Sequence, residues 1–410
     1  MKPFFFRFGI IGSFALVALG CANAQNENNK STPAVSLSSS IQRNTGIDSG
    51  NQTNLGLTVP KGFSVNVFAE GLTNPRRLLI MPGSTAAHYK VLIAESAAGR
   101  ISVLDSTGSG KADNKSTFVS GLQKPYGMAF NGGWFYAANT DSVVRFPYKT
   151  GQTSISGDAQ TLIKLPTGGH WTRNLLFADG GKKMYIAVGS SCNVCEDKDN
   201  RAAINVANPD GSDFKPYATG IRNPVGMALY PGTDHLWTSV NERDRLGDDT
   251  PPDYLTQVQQ DNFYGWPYAY TDLNRQVHPD PDFGAKNPDK VKSTTPPTVP
   301  VQAHSAALGL TFYPLKTTGQ KYFPKEYHGD AFLAFHGSWN RSEPTGYKIA
   351  RVHFKNGKPI SISDFVTGFL KSDQNVWGRP VDITVAPDGS LLFSDDKGGK
   401  IWRVSYATNH

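Results

Sequence analysis

Cysteine, long hydrophobic stretches and clustered charge are all scarce in this chain of 410 residues. Only three cysteines occur, and a structural zinc site normally needs four ligands. The net charge is +7, but lysine and arginine are scattered without a basic run, so nucleic acid is not an expected partner. After the N-terminus no apolar stretch reaches the roughly 20 residues of a spanning helix, and no transmembrane helix is predicted.

Turn-forming residues are abundant instead. The sequence contains 41 glycines and 27 prolines and has little helical periodicity, which predicts an all-β protein. The chain is longer than the about 250–300 residues that one hydrophobic core usually supports. It is therefore expected to form two domains or a repeat architecture.

The N-terminal 24 residues are typical of an export signal. Lys2 and Arg7 flank the start of an apolar stretch at 8–19, and Ala22-Asn23-Ala24 matches a small-x-small cleavage site. This pattern predicts a periplasmic or secreted protein. In a competing interpretation the cleavage site lies before Cys21, which would then carry a lipid anchor.

Residues 25–57 are rich in Asn, Ser and Thr and almost lack aromatic residues, which predicts a disordered leader. The folded domain is then expected at 58–410. Within it, Cys192 and Cys195 are three residues apart, and Glu196 stands where haem attachment would need a histidine. In an exported protein this pair is expected to form a local disulfide, with a redox-active pair as the alternative.

One pattern recurs six times along the domain: a polar loop with glycine or proline, then a strand, a turn and further strands. The copies begin at Gly71, Gly121, Gly168, Gly220, Ala303 and Trp377. The first four are about 50 residues apart, which is the period of a four-stranded propeller blade. The repeat predicts a six-bladed β-propeller, whose last blade is completed by residues 62–69.

In a propeller, the loops before the innermost strands open at one end of the central channel. We therefore expect seven side chains to approach one cavity there: Arg76, Tyr126, His170, Arg222, Asn223, His304 and Arg379. The alternative is that the prolines and glycines of these loops only form turns.

The expected cavity combines three arginines with a histidine. Guanidinium groups pair with carboxylate or phosphate, so the arginines predict a polyanionic ligand. His170 follows two glycines, and its side chain is the usual group for proton transfer near neutral pH.

Three other segments are candidates for the same region. The acidic stretch 241–249 suits Ca²⁺, or is a solvated loop. The aromatic stretch 263–268 either covers a ligand or packs an insertion onto the blades. The segment 336–341, His-Gly-Ser-Trp-Asn-Arg, is a further site candidate at the end of a strand.

Several motifs together resemble the soluble quinoprotein glucose/sorbosone dehydrogenases over about residues 60–406. They are Gly-Ile-Arg-Asn-Pro-Val-Gly-Met-Ala, Asn-Glu-Arg-Asp, Asn-Phe-Tyr-Gly-Trp-Pro, His-Gly-Ser-Trp-Asn-Arg and Trp-Gly-Arg-Pro-Val-Asp. The Ser-Cys-Asn-Val-Cys-Glu loop and the fourth motif look most like the L-sorbosone dehydrogenase branch.

The resemblance implies a propeller that binds pyrroloquinoline quinone (PQQ) and Ca²⁺. It implies that His170 is the general base, that Arg222 and Asn223 bind the cofactor, and that Arg379 pairs with a cofactor carboxylate. The backbone carbonyls of Arg243 and Asp244 match the calcium ligands.

Arg76, Tyr126, His304 and Trp339 are also assigned to the cofactor site. Three departures from the family pattern stand out. Gly169 replaces the acidic residue that precedes the histidine in glucose dehydrogenases. Val381 stands where a second arginine is expected, and the lysine of the fifth blade is missing, so that Trp339, Asn340 or Arg341 would substitute for it.

The expected function is oxidation of an aldose or a sugar-derived aldehyde, sorbosone-like, by hydride transfer to PQQ with Ca²⁺ as Lewis acid. Electrons would leave to a separate acceptor, a cytochrome or a quinone. Two alternatives are a calcium-dependent propeller lactonase and a non-catalytic propeller that binds sugar or protein.

Overall fold

Short apolar runs that alternate along the chain form strands throughout the described residues, which are 50–198, 200–317 and 322–406 of this computed structural model. The first three strands are β1 (Asn51–Gln52), β2 (Thr58–Val59) and β3 (Phe63–Ala69). Strands β1 and β2 pair with each other in an antiparallel sheet.

Six four-stranded antiparallel sheets follow, and we number them as blades 1 to 6. Blade 1 contains β4 (Pro75–Ile80), β5 (Tyr89–Glu95), β6 (Arg100–Ser106) and β7 (Asn114–Ser120). Blade 2 contains β8 (Met128–Asn131), β9 (Trp134–Ala138), β10 (Ser142–Pro147) and β11 (Gln160–Lys164). Blade 3 contains β12 (Arg173–Ala178), β13 (Lys183–Val188), β14 (Ala203–Ala207) and β15 (Lys215–Thr219).

Blade 4 carries an insertion between its third and fourth strands. Its first strands are β16 (Pro224–Leu229), β17 (Leu236–Val240) and β18 (Tyr254–Gln257). The insertion contains the hairpin of β19 (Ala269–Thr271) and β20 (Val277–Pro279) and the short helix α1 (Pro288–Lys292). The blade ends with β21 (Val299–Pro300).

Blade 5 contains β22 (Ala307–Phe312), β23 (Ala331–Phe335), β24 (Lys348–Lys355) and β25 (Lys358–Val366). Blade 6 contains β26 (Pro380–Val385), β27 (Leu391–Asp395) and β28 (Lys400–Tyr406). Short 3-10 helices lie at Ser96–Ala98, Asp179–Gly181, Gly284–Lys286 and Lys325–Tyr327.

The ring closes by joining the two ends of the domain in one sheet. Strand β3 pairs with β28, with Val65 opposite Val404 and Val67 opposite Trp402. The first strands of successive blades contact each other around a complete circle, from β4 through β8, β12, β16, β22 and β26 back to β4. The predicted six-bladed propeller is therefore confirmed, as is the prediction that residues 62–69 complete the last blade.

Neighbouring blades bury a hydrophobic layer between them. Leu92 and Ile101 of blade 1, for example, pack in one cluster with Phe135 and Phe146 of blade 2. Each blade alone would expose both of its apolar faces, so the stacking of blades supplies the main driving force for the fold.

The inner strands approach each other closely enough to require glycine. A Cβ atom on Gly226 would lie 2.4 Å from the carbonyl oxygen of Leu308, and one on Gly309 would lie 2.5 Å from the Cα atom of Asp382. These distances explain why a glycine recurs in the first strand of several repeats: a larger residue would push adjacent blades apart.

Two N-terminal predictions fall partly or wholly outside the described residues. The export signal at 1–24 and the lipid anchor at Cys21 lie outside them. Of the predicted leader, the described part begins at Gly50, and Leu57 is fully buried in the core between blades 5 and 6. No helix among the described residues has the length and hydropathy to cross a bilayer.

Removing β3 is expected to destabilise the ring, because it leaves the edge of β28 unpaired and deletes the buried side chains of Phe63, Val65 and Phe68. A chain that begins at Gly71 should unfold roughly 10 °C or more below one that begins at Gly50. Thermal unfolding followed by circular dichroism measures the difference. Equal midpoints for the two chains would contradict the assigned role of β3.

Candidate active site

The loops that precede the inner strands surround a cavity of about 390 Å³. Of the residues selected from the sequence, seven line it: Arg76, His170, Arg222, Asn223, Asp244, His304 and Trp339. The other lining residues are Trp171, Thr172, Asn241, Glu242, Asp253, Ala306, Leu308, His336 and Asn340. Residues separated by more than 250 positions in sequence thus meet at one site.

Three of the selected side chains do not line the cavity. Tyr126 is fully buried and packs with Val225, Leu308 and Val381, below the mouth in the centre of the ring. Its hydroxyl has no hydrogen-bond partner among the described residues. Tyr126 therefore fills the channel, and its assignment to the cofactor site stays a prediction.

The other two selected side chains are held by neighbours beside the cavity. The guanidinium of Arg243 is buried and forms ion pairs with Asp280 and, at 3.1 Å, with Asp282. Arg379 Nη1 lies 3.3 Å from Nδ1 of His336. The backbone role of Arg243 and the carboxylate-binding role of Arg379 stay predictions.

His170 is oriented by Ser190. Its Nδ1 lies 3.0 Å from the carbonyl oxygen and 3.0 Å from Oγ of Ser190, and that hydroxyl donates its own proton to the carbonyl of Cys192. Both groups at Nδ1 therefore accept, so neutral His170 carries its proton on Nδ1. The lone pair of the neutral ring is then on Nε2.

The position of Ser190 also explains Gly169. A Cβ atom on Gly169 would lie 2.4 Å from the Cα atom of Ser191, and the residue has a φ of +63°. An acidic residue could not occupy this position without moving the loop. The departure from the family pattern is thus structural: the glycine lets the 190–191 segment approach, and Ser190 orients the histidine instead.

The other two histidines of the cavity have both ring nitrogens engaged. His304 contacts Gly247 O at 2.9 Å and Asp244 Oδ1 at 3.4 Å, and His336 contacts Asp396 at 3.0 Å and Arg379 at 3.3 Å. By contrast, no hydrogen bond reaches Nε2 of His170 from any described residue. His170 is thus the cavity histidine with a ring nitrogen available to a ligand.

The surroundings of His170 favour its neutral form. Burial, followed by the positive charges of Arg222 and Arg173, lowers its pKa to about 4. At neutral pH the imidazole is therefore unprotonated on Nε2 and can accept a proton. The pKa of His304 is raised instead, chiefly by its hydrogen bond with Asp244.

Arg222 is buried and is held by backbone and side-chain acceptors. Its Nε donates to Asn193 O at 3.0 Å, Nη1 to Glu242 O at 2.7 Å, and Nη2 to Asn193 Oδ1 at 3.0 Å. The nearest carboxylate oxygen of Asp244 is 3.5 Å away. Burial lowers the pKa of Arg222, and the nearby carboxylates of Asp244, Glu242 and Asp253 oppose this shift.

A second arginine lies at the junction of the first and last blades. Arg76 Nη1 pairs with Asp396 Oδ2 at 2.5 Å, and His336 contacts the same carboxylate. Burial alone would raise the pKa of Asp396, but hydrogen bonds and charges from His336 and Arg76 lower it to about 2. Asp396 is therefore a permanent anion that fixes Arg76 at the mouth.

The cavity also contains two carboxylates with raised pKa values. Burial raises the pKa of Glu242 to about 7 and that of Asp253 to about 6. Asp253 Oδ1 accepts a hydrogen bond from the backbone of Glu242 at 2.8 Å. In the described part of the chain, no three His, Cys, Asp or Glu side chains come together as a metal site.

The structure tests the predictions for the cysteine pair and for the aromatic stretch. Cys192 and Cys195 form a disulfide, as predicted, while a redox role for the pair stays a prediction. Phe263 and Trp266 of the aromatic stretch are buried, and Trp266 Nε1 donates to Asn193 O at 3.1 Å. This stretch therefore packs the insertion onto the blades and does not line the cavity.

Sequence reasoning missed Ser190, Asn193, Glu242, Asp253 and Asp396. Glu242 belongs to the acidic stretch but was not selected individually, and Asp253 lies shortly after the end of that stretch. Asp396 begins the turn after β27 in blade 6, so only the closed ring shows that it faces Arg76.

The titration of His170 tests this arrangement in the protein without ligands. Histidine ring resonances in ¹H–¹³C NMR, assigned by their loss in His170→Asn, should give His170 a pKa near 4. Replacing Arg222 by alanine should raise that pKa, because it removes a nearby positive charge. A pKa at or above 6.5 in the unsubstituted protein would contradict the buried, neutral imidazole.

Comparison with known proteins identifies the family. A family model described as TrAA12-like matches residues 57–407. An uncharacterized protein of Borreliella burgdorferi is 31% identical over 373 residues, which cover 85% of this chain and 91% of that protein. The aldose sugar dehydrogenase YliI of Escherichia coli K12 is 30% identical over 262 residues, covering 59% of this chain and 62% of that enzyme.

A solved structure shares the fold. The holo form of the pyranose dehydrogenase PQQ domain from Coprinopsis cinerea has a TM-score of 0.73 and 20% identity, and covers 86% of this chain and 98% of that chain. The resemblance to soluble PQQ-dependent sugar dehydrogenases is thereby confirmed, whereas the L-sorbosone branch stays a prediction. The chain, matched over nearly its whole propeller, belongs to the TrAA12-like family.

Proposed function

We propose that this protein is a quinoprotein sugar dehydrogenase that binds PQQ and Ca²⁺ in the mouth cavity. The observation that carries the proposal is His170, a neutral histidine whose Nε2 is available inside a cavity lined by two buried arginines. Oxidation of a sugar hydroxyl requires a group that accepts its proton. An anionic quinone bound beside that group requires cations that compensate its charge.

The residues of the cavity suit a planar tricarboxylate. Arg222 is a buried cation whose ion pair with Asp244 is long, at 3.5 Å. The side-chain oxygens of Asn223 and Asn340 and Nε of Arg76 are buried without hydrogen-bond partners in the described structure. A bound anion with ring nitrogen and carbonyl groups would compensate the charge of Arg222, and Arg76 and Asn223, which line the same cavity, would contact it.

Ca²⁺ is proposed to bind beside the 242–244 segment. Both Glu242 and Asp244 line the cavity, and the carbonyl groups of this segment are the ligands that the family resemblance implies. Ca²⁺ prefers carboxylate and carbonyl oxygens, so the donor set is of the right chemical kind.

When bound, PQQ supplies the hydride acceptor and Ca²⁺ supplies the Lewis acid that polarises it. The protein's contribution is orientation and proton transfer. Ser190 fixes the ring of His170 so that Nε2 faces the cavity, and Nε2 takes the proton from the sugar hydroxyl. Asp396 and His336 hold Arg76 at the other side of the mouth.

The substrate is proposed to be an aldose or a sugar-derived aldehyde such as a sorbosone-like compound. Trp339 lines the cavity, and its side chain is 74% exposed. An exposed indole at the rim offers an apolar face to a sugar ring or to the cofactor. We further propose a periplasmic or secreted location and a separate cytochrome or quinone as electron acceptor.

A calcium-dependent lactonase is the second candidate. The observation in its favour is the pair of cavity carboxylates, Glu242 and Asp253, because a lactonase would bind its metal through carboxylates and Asn. Lactone hydrolysis without added PQQ would identify it. The two arginines of the cavity favour the quinoprotein.

Reconstitution tests the proposed function. Apo protein mixed with PQQ and Ca²⁺ should reduce an artificial redox dye in the presence of an aldose or aldehyde. His170→Ala should retain PQQ binding but lower turnover by about 10²–10⁴-fold, because it removes the proton acceptor.

His88→Ala serves as the matched control, since His88 is exposed in blade 1 and lies outside the cavity. Full activity in His170→Ala would remove His170 from its role. The absence of both PQQ binding and dye reduction over a broad panel of sugars would refute the quinoprotein proposal.

A further inference from the structure

The disulfide loop contacts both sides of the proposed cofactor site. Residues 190–198 form no strand or helix, yet they lie between His170, Arg222 and the segment that contains Asp244. Asn193 is one of the two residues enclosed by the Cys192–Cys195 disulfide. The contacts of Asn193 connect this loop to residues that line the cavity.

Both polar atoms of the Asn193 side chain form hydrogen bonds. Oδ1 accepts hydrogen bonds from Arg222 Nη2 at 3.0 Å and from the backbone N–H of Asp244 at 2.8 Å. Nδ2 donates to the carbonyl oxygen of Asp244 at 3.0 Å. One amide group thus connects the proposed cofactor arginine to the proposed metal-binding segment.

The backbone of Asn193 adds two further bonds. Its carbonyl oxygen accepts from Arg222 Nε at 3.0 Å and from Trp266 Nε1 at 3.1 Å. Arg222 therefore donates hydrogen bonds from both Nε and Nη2 to a single residue. This bidentate arrangement fixes the plane of the guanidinium. Trp266 in turn anchors the loop to the insertion of blade 4.

The same loop is linked to the proposed base. Ser190, which orients His170, donates its hydroxyl proton to Cys192 O at 2.7 Å, and its backbone N–H donates to Arg222 O at 2.8 Å. The cross-link at Cys192 thus lies between the residue that orients the histidine and the residue that holds the arginine.

A cross-link is needed for this arrangement because strand pairing does not support the loop. Closing a loop covalently reduces the number of conformations it can adopt when its hydrogen bonds open. The disulfide keeps the backbone of Asn193 facing Arg222, so that the guanidinium keeps one orientation in the absence of a ligand.

We propose that Asn193, held by the Cys192–Cys195 disulfide, is a positioning residue that presents Arg222 to the cavity in a fixed geometry and fixes the carbonyl group of Asp244 beside it. That carbonyl oxygen accepts from Asn193 Nδ2 at 3.0 Å and from Arg243 Nε at 3.4 Å, so the two donors together set its direction. The inference rests on the proposed function for what the cavity binds. The contacts that carry it are those of the protein itself.

Asn193→Ala tests the proposal in two ways. In apo protein, hydrogen exchange of the Arg222 Nη2 protons, followed by ¹⁵N NMR, should become at least about tenfold faster, because the side-chain oxygen of Asn193 that accepts from Nη2 is gone. In the presence of Ca²⁺, the dissociation constant for PQQ should rise by about tenfold to a hundredfold.

Three further variants make the result specific. Cys192→Ser/Cys195→Ser should weaken PQQ binding in the same direction while Asn193 is still present. Asn208→Ala is the matched control, because Asn208 lies in a turn of the same blade, where its side chain contacts Ser212, and it should change neither quantity. In an Arg222→Ala background, Asn193→Ala should have a much smaller effect on PQQ binding, as expected for residues that act through one contact.

Two results would overturn the proposal. One is an Asn193→Ala protein with unchanged Arg222 exchange and PQQ affinity. The other is an effect of Asn193→Ala that is equally large in the Arg222→Ala background. If Asn193→Ala does not fold, Asn193→Ser and the double cysteine variant are measured by the same criteria.

Failure of the proposed function gives a distinguishable result. If the unsubstituted protein binds no PQQ, the exchange of the Arg222 Nη2 protons in apo protein still decides whether Asn193 and the disulfide hold the arginine. Slow exchange in the unsubstituted protein and fast exchange in the variants would support the positioning role by itself.

Discussion

The closed circle of inner strands is the constraint on which the rest of the molecule depends. Strand β3 from the start of the domain joins β28 from its end, so the first and last blades are forced into contact. The ion pair of Arg76 with Asp396 exists only because of this closure. The same closure aims the loops of six different repeats at one mouth, and the cavity is therefore a product of the whole ring and not of one blade.

The electrostatics of the cavity follow from burial. Arg76 and Asp396 form a close ion pair, whereas the ion pair of Arg222 with Asp244 is longer, at 3.5 Å. Glu242 has a pKa raised to about 7 by burial, so near neutral pH much of it is uncharged. This reduces the negative charge that would oppose an anionic ligand. A cavity with buried arginines and a partly neutral Glu242 favours an anionic ligand, beside which Ca²⁺ is proposed to bind.

Much of the fold could be predicted because a repeat in the sequence implies a structural unit that is repeated in the fold. The six loop–strand copies and their spacing indicated the blades, and the strand at residues 62–69 indicated the closure. The direction in which individual side chains point was harder to predict. Tyr126, Val225 and Val381 each follow a proline at the start of a repeat, and all three point into the channel. Arg76 follows a proline too, and lies across the rings of Tyr126 and Trp171 at 5.9 and 5.3 Å.

The lining of the cavity was predictable where it came from the repeated loops, and not where it depended on partners from elsewhere. His170 and Arg222 belong to such loops and were found from the sequence. Ser190 and Asn193 lie in an irregular loop between two strands of blade 3, and only the folded chain shows that they orient those two side chains. Gly169 was visible as an anomaly in sequence, and its reason is the close approach of Ser191.

Reduction of bound PQQ by a sugar tests the central claim most directly. Protein loaded with PQQ and Ca²⁺ is mixed anaerobically with an aldose or an aldehyde, and the absorbance of the bound quinone is followed through a single turnover. We predict that the oxidised spectrum disappears at a rate that depends on the sugar concentration, and that it persists in His170→Ala. Bound PQQ whose spectrum stays unchanged with every sugar and aldehyde tested would contradict the account.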